Sequence, residues 1–249
     1  MLNTGGKERI MQIKIIFFSG KPITLPIAYR HAQQSLIYNT LRSNSGYSHA
    51  LHDYGFSENT TGFKLFTFSP LEGSYTKLGK RLIFDGRVAF EIRCHDSFMA
   101  QLLLSGLSEG TKVTLLNNEL TVESCLMENR TISDRKLAVK TVSPIAVLSN
   151  TAERHTFYYS PEEALFYERI IANAKRKWCT LYDENEFLLN VYPADHSFRK
   201  LVTLFKGTYV NAWYGNFILE GNPKVIDFLY DVGLGNKTSQ GFGMFKIIE

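Results

Sequence analysis

Thirteen residues near the C-terminus, GLGNKTSQGFGMF from Gly233 to Phe245, hold four glycines around one lysine. Such clusters mark positions that need φ > 0 or where the main chain approaches something closely, and phosphate is a common partner. Spacing excludes two phosphate motifs. A dinucleotide fingerprint would need glycine where Thr238 stands, and a P-loop would need glycine rather than Asn236 before the Lys–Thr pair. The segment can still turn successive backbone N–H groups toward an anion in a nest, with Lys237 adding charge. It can equally be an ordinary glycine-rich turn. His49 and His52 form a second group with chemical capacity, one helical turn apart, because imidazole moves protons near neutral pH. An H-x-x-H pair without further clustered ligands makes a poor zinc site, and a solvated helix face reads as well; no metal or cofactor is expected.

Hydrophobic periodicity supplies the elements that must carry these residues. MQIKIIFF, from Met11, reads as a strand, and the polar residues 1–10 as an extension ahead of it. Behind Pro26, Ala28, Ala32 and Leu36, then Ile37 and Leu41, recur at helical spacing. A short helix, YSHALHDY, precedes the strand FKLFTFS. RLIFDGRVAFEIR reads as a hairpin about Asp85 and Gly86, SFMAQLLLSGL as a helix, and TKVTLL with ELTVESCLM as another hairpin. From Lys136 a similar order restarts with the strand KLAVKTVSPIAVLS. A helix follows, with a capping-box start at Ser160, Pro161 and Glu163 and an apolar stripe of Phe166, Ile170 and Ala174. FLLNVY and TYVNAWYGNFILEG read as strands. NPKVIDFLYDVG reads as a helix with Asn222 as N-cap, Pro223 at the first position and Gly233 just past the end; FGMFKII closes the chain as a strand. The glycine loop therefore runs from helix to strand, the reverse of both nucleotide motifs. Both halves read βαββαβ, which predicts an α+β protein of tandem ferredoxin-like domains: an extension at 1–10, one domain at 11–130 and a second at 131–249.

Composition sets the class. The chain has 249 residues, 44% hydrophobic and 21% charged, enough for real cores, and its net charge of +4 permits a polyanionic partner without demanding one. No run approaches eighteen apolar residues and no cleavable leader pattern opens the chain, so a cytoplasmic protein without a membrane partner is expected. Cys94, Cys125 and Cys179 are odd in number and far apart, which predicts buried packing residues rather than disulfides or a zinc site.

GLGNKTSQGFG resembles the C-terminal glycine-rich signature of the CRISPR-associated endoribonucleases that process precursor CRISPR RNA: Gly, hydrophobic, Gly, about five residues with a basic one, then Gly, hydrophobic, Gly. Here these are Gly233, Leu234, Gly235, Lys237, Gly241, Phe242 and Gly243. LIYN at Leu36–Asn39, LHDYGF, FKLFTFS and TVSPIAV are similar to further segments of that family, in the same order. The resemblance implies two RNA-recognition-like domains that grip one CRISPR repeat RNA and cut it without metal, the 2′-hydroxyl attacking the scissile phosphate and leaving a 2′,3′-cyclic phosphate. It allows subunits of a CRISPR effector complex, or a second copy in a homodimer, as protein partners. A non-catalytic subunit that holds guide RNA is the alternative.

By position, the family's tyrosine, histidine and lysine fall on Tyr38, His52 and Lys64. The resemblance gives His52 the proton transfer, Lys64 the charge on the phosphorane, and Tyr38 the placing of the 2′-hydroxyl or stacking on a base. His49 competes with His52; Tyr38 could be packing, and Lys64 an edge-protecting charge. RNA binding falls on Gly233, Gly235, Lys237, Thr238, Ser239, Gln240, Gly241 and Gly243, with Lys77, Lys80 and Arg81 in a hairpin as further contacts. Lys175–Lys177 form the densest basic run, which complements a helix dipole or meets RNA. QGFGMFKI departs from an RNA-stacking strand at Gln240 and Met244, which makes Phe242 a core residue.

Overall fold

The computed structural model describes residues 12–42, 63–150 and 156–248. In the first half the chain runs through β1 (Gln12–Phe18), β2 (Ile23–Pro26), α1 (Arg30–Leu41), β3 (Phe66–Phe68), β4 (Tyr75–Leu78), β5 (Arg81–Phe84), β6 (Arg87–Cys94), α2 (Ser97–Gly106), β7 (Lys112–Leu115) and β8 (Asn118–Glu128). An antiparallel sheet has the order β3-β6-β1-β8-β7. Without the edge strand β7, these are the second, third, first and fourth strands of a βαββαβ unit, the ferredoxin-like order. Strand alternation puts Ile13, Ile15 and Phe17 on one face, in one core with Leu36 and Ile37 of α1 and Leu103 of α2.

The second half repeats the plan through β9 (Lys136–Thr141), β10 (Leu148–Asn150), β11 (Thr156–Tyr158), α3 (Ala164–Trp178), β12 (Leu189–Pro193), β13 (Arg199–Phe205), β14 (Thr208–Tyr214), β15 (Asn216–Gly221), α4 (Pro223–Val232) and β16 (Phe245–Ile247). Its sheet order, β12-β15-β9-β16, is the same permutation. Phe166, Ile170 and Ala174 are buried in a separate core, as their spacing predicts. The Asn222 side chain accepts the Lys224 N–H at 3.1 Å, Pro223 opens α4, and Gly233 ends it at φ +76°. Among the described residues no helix is long and apolar enough to cross a membrane.

Three local expectations fail for tertiary reasons. Asp85 and Gly86 do not make a hairpin: β5 pairs with β2 and β4 in a small separate sheet. Both flanks of β6 are occupied by β1 and β3, so β5 has no edge to join. The run TYVNAWYGNFILEG splits at Gly215, where β14 leaves for a hairpin with β13 while β15 enters the main sheet. A Cβ at Gly215 would stand 2.6 Å from the Phe198 ring. Of the cysteines only Cys94 is buried; Cys125 is half-buried and Cys179, at the C-cap of α3, is exposed.

Candidate active site

Positions 30, 34 and 38 share one face of α1, because four residues make slightly more than a turn. Tyr38 is half-buried beside the apolar stripe, its ring edge-on to Phe66 at 6.2 Å. Lys64 precedes β3, and the fully buried Phe66 fixes where the chain enters the core. Its Nζ lies 5.8 Å from the centroid of the Tyr38 ring. Tyr38 and Lys64 therefore meet, and line one cavity of about 270 Å³ with Gln34, Arg42, Lys206 and Gln240.

Three cations and no carboxylate of the described residues line this cavity, which suits a polyanion. Burial pushes the Tyr38 phenol up to about 12, so at neutral pH it stays protonated, able to donate a hydrogen bond and unable to act as a base. Lys206 comes from the second domain, at the tip of the β13–β14 hairpin. It has φ +47° and Gly207 φ +81°, while Phe205 and Thr208 pair across the turn. A two-residue turn with both φ positive matches the strand twist, and here it leaves Lys206 exposed over the pocket. His49 and His52 lie outside the described residues.

The glycine loop is packed from both sides. Its N–H groups at Leu234, Asn236 and Gly243 donate to the carbonyls of Gly243, Ala146 and Pro144. A Cβ at Gly235 would meet the Ala146 carbonyl at 2.6 Å, one at Gly241 the Phe68 ring at 2.5 Å, and one at Gly243 the Leu234 carbonyl at 2.0 Å. Close approach to protein thus accounts for the bare backbone at these three positions. Phe242 and Met244 are buried completely. Lys237, Ser239 and Gln240 are half-buried, and of the loop only Gln240 lines the cavity. Lys177, from the basic run, is 3% exposed and donates to the carbonyls of Gly233 and Gly235 at 3.0 Å each, so it anchors the loop instead of facing solvent. Lys175 pairs with Glu184 at 2.5 Å. Lys77, Lys80 and Arg81 are exposed on the β4–β5 hairpin and do not line the cavity.

Residues 127–247 match the family model of CRISPR associated protein Cas6, C-terminal. Two curated relatives span most of the chain. A CRISPR-associated endoribonuclease Cas6 of Methanocaldococcus jannaschii is 26% identical over 245 residues, 96% of this chain and 93% of its own. One of Pyrococcus furiosus is 27% identical over 232 residues, 90% and 83%. A solved structure described as CRISPR associated protein Cas6 superposes with a TM-score of 0.76 at 26% identity, covering 96% of this chain and 99% of that one.

Over nearly its whole length the chain is similar to Cas6 endoribonucleases, and its C-terminal part matches their family model. Three residues that line this cavity are absent from the candidates drawn from the sequence: Gln34, Arg42 and Lys206. Gln34 sits where periodicity suggests a solvated helix face, and Arg42 simply follows the last helical leucine. Lys206 had a readable cue, a Lys–Gly pair between the alternating runs RKLVTLF and TYVNAWY.

Proposed function

We propose that this chain is a Cas6 endoribonuclease that cuts CRISPR repeat RNA in precursor transcripts, and that cutting occurs at the cavity of Tyr38 and Lys64. The observation that carries the reading is this cavity, lined by three cations and by no carboxylate among the described residues, to which both domains and the glycine loop contribute. Arg42 and Lys64, near either end of the segment that carries His52, both line it, which supports His52 as the proton-transfer group. In the step itself the 2′-oxygen bonds to phosphorus as its proton passes to a base. The phosphorane then expels O5′, which takes a proton from an acid, and a 2′,3′-cyclic phosphate remains. Lys64, with Arg42 and Lys206 nearby, supplies the charge for the phosphorane that a metal ion would otherwise supply. Tyr38 donates its O–H to the 2′-oxygen or its neighbour, or stacks on a base. The loop residues Lys237, Ser239 and Gln240 hold the RNA alongside, and Lys77, Lys80 and Arg81 form a second contact.

The test is end-labelled repeat RNA in EDTA with wild type, Lys64→Ala, His52→Ala and a substrate lacking the 2′-hydroxyl at the cut. Single-site cutting by wild type, slowed about 10²–10³-fold in Lys64→Ala and absent on the deoxy substrate, is the expected result. Tight binding without cutting would leave a guide-holding module in its place.

A further inference from the structure

The face of α1 that presents Tyr38 also holds the glycine loop. One turn before Tyr38, the Gln34 side chain donates to the Ser239 carbonyl at 2.7 Å; one turn earlier again, Arg30 Nη1 donates to the Gly241 carbonyl at 2.6 Å. The helix thus meets the loop at successive turns, about 6 Å apart along its axis. Gln34 belongs to both sets, since it lines the cavity as well. The two ends of the loop are held by different domains. Lys177, of the loop's own domain, takes Gly233 and Gly235, while Arg30 and Thr67, of the other, take Gly241 and Phe242.

Arg30 is an expensive residue for a merely packing role. It is 8% exposed, its guanidinium lies 5.2 Å over the Phe242 ring, and it makes no ion pair with any described carboxylate. Taking a guanidinium out of water without a counter-ion is unfavourable, and a methionine could fill the same space.

We infer that Arg30 and Gln34 are positioning residues that keep the glycine loop in register with the cleavage cavity, so that RNA held by one domain presents its scissile phosphate to the other. This rests on the endoribonuclease reading above. Two fixed contacts on one rigid helix set the separation of loop and pocket, and reaction rates fall steeply when a reacting group is displaced by an ångström.

The experiment compares wild type with Arg30→Met, Gln34→Leu and the conservative Arg30→Lys. For each protein we would measure single-turnover cleavage at saturating repeat RNA, RNA affinity, melting temperature and amide exchange of residues 233–243. Arg30→Met and Gln34→Leu should cut roughly 10- to 100-fold more slowly with RNA fully bound, and loop amides should exchange faster. Arg30→Lys, which can still reach one carbonyl, should recover most of the rate. Wild-type cleavage by both disruptive variants, whatever their melting temperature, would overturn the inference and leave a packing contact. Unchanged loop exchange would overturn it too. If wild-type protein cuts no repeat RNA, the endoribonuclease reading fails instead, and loop exchange alone decides whether these side chains set the loop.

Discussion

Lys177 has lost nearly all contact with water, and that loss sets how its charge behaves. Burial, with a smaller push from Arg176, lowers its pKa from 10.5 to about 7. Its two carbonyl partners hold the amine in place in either protonation state. Between those two values the unfolded chain binds the proton more tightly than the folded one, so folding stability rises with pH across this window; below about 7 the cost of the buried charge is complete. The melting temperature should therefore increase from pH 7 to pH 9, and Lys177→Met should flatten that increase while lowering stability overall, by roughly 1–3 kcal/mol, through the two abandoned carbonyls. An equal pH dependence in both proteins would assign the effect elsewhere. Lys237 is shifted downward by the same physics at only half burial, whereas Lys175 is shifted upward by its bond to Glu184. Three lysines in one chain thus differ in character because of what surrounds them.

The loop after α4 shows how packing alone can require an element with a bare backbone. Gly243 has φ +76° and would place a Cβ 2.0 Å from the Leu234 carbonyl, and Gly241, at φ +83°, faces the Phe68 ring across the domain boundary. Gly243→Ala should cost roughly 3 kcal/mol or more, read as a drop in urea midpoint at unchanged slope. A variant as stable as wild type would mean the loop relaxes freely and its glycines are not needed for packing. RNA contact is consequently better probed through Lys237 or Ser239, whose side chains are half-buried, than through glycine substitutions that disturb folding first. On the β13–β14 hairpin the logic is simpler, since the turn geometry alone carries Lys206 to the cavity.

Each domain has its own hydrophobic core, the second also taking in Leu65 from the first, and polar contacts with buried side chains join the two. Arg93 of β6 is 2% exposed; its Nη1 donates to the Phe245 carbonyl at 2.7 Å and its guanidinium lies 3.7 Å from the Tyr230 ring centroid. Beside it, His95 meets Asp231 at 3.2 Å and the Tyr182 hydroxyl at 2.7 Å, again across the boundary. Arg30 and Thr67 complete the seam at the loop. Because these contacts are directional, their loss should uncouple the domains before it unfolds either one. Arg93→Met is expected to remove roughly 2–4 kcal/mol and to split a single urea transition into two. A single, merely shifted transition would show that apolar packing already couples the halves.

What could be read from the residues alone was whatever depends on local pattern: the repeated βαββαβ order, the caps of α4, the stripe Phe166, Ile170 and Ala174, and a glycine signature specific enough to point at a family. Tyr38 and Lys64 came from that resemblance, and the fold brings them to one cavity. The partners of each element were decided by tertiary structure, because pairing depends on which edges are already occupied. So β5 turned away at Gly86 and β14 separated from β15. The same holds for burial. Arg30, Gln34 and Lys177 are polar residues whose sequence neighbours predict exposure, yet each is covered by the loop that arrives some sixty to two hundred positions later. A hydrogen-bond partner so distant in sequence leaves no periodicity behind, and only the folded chain brings the two together.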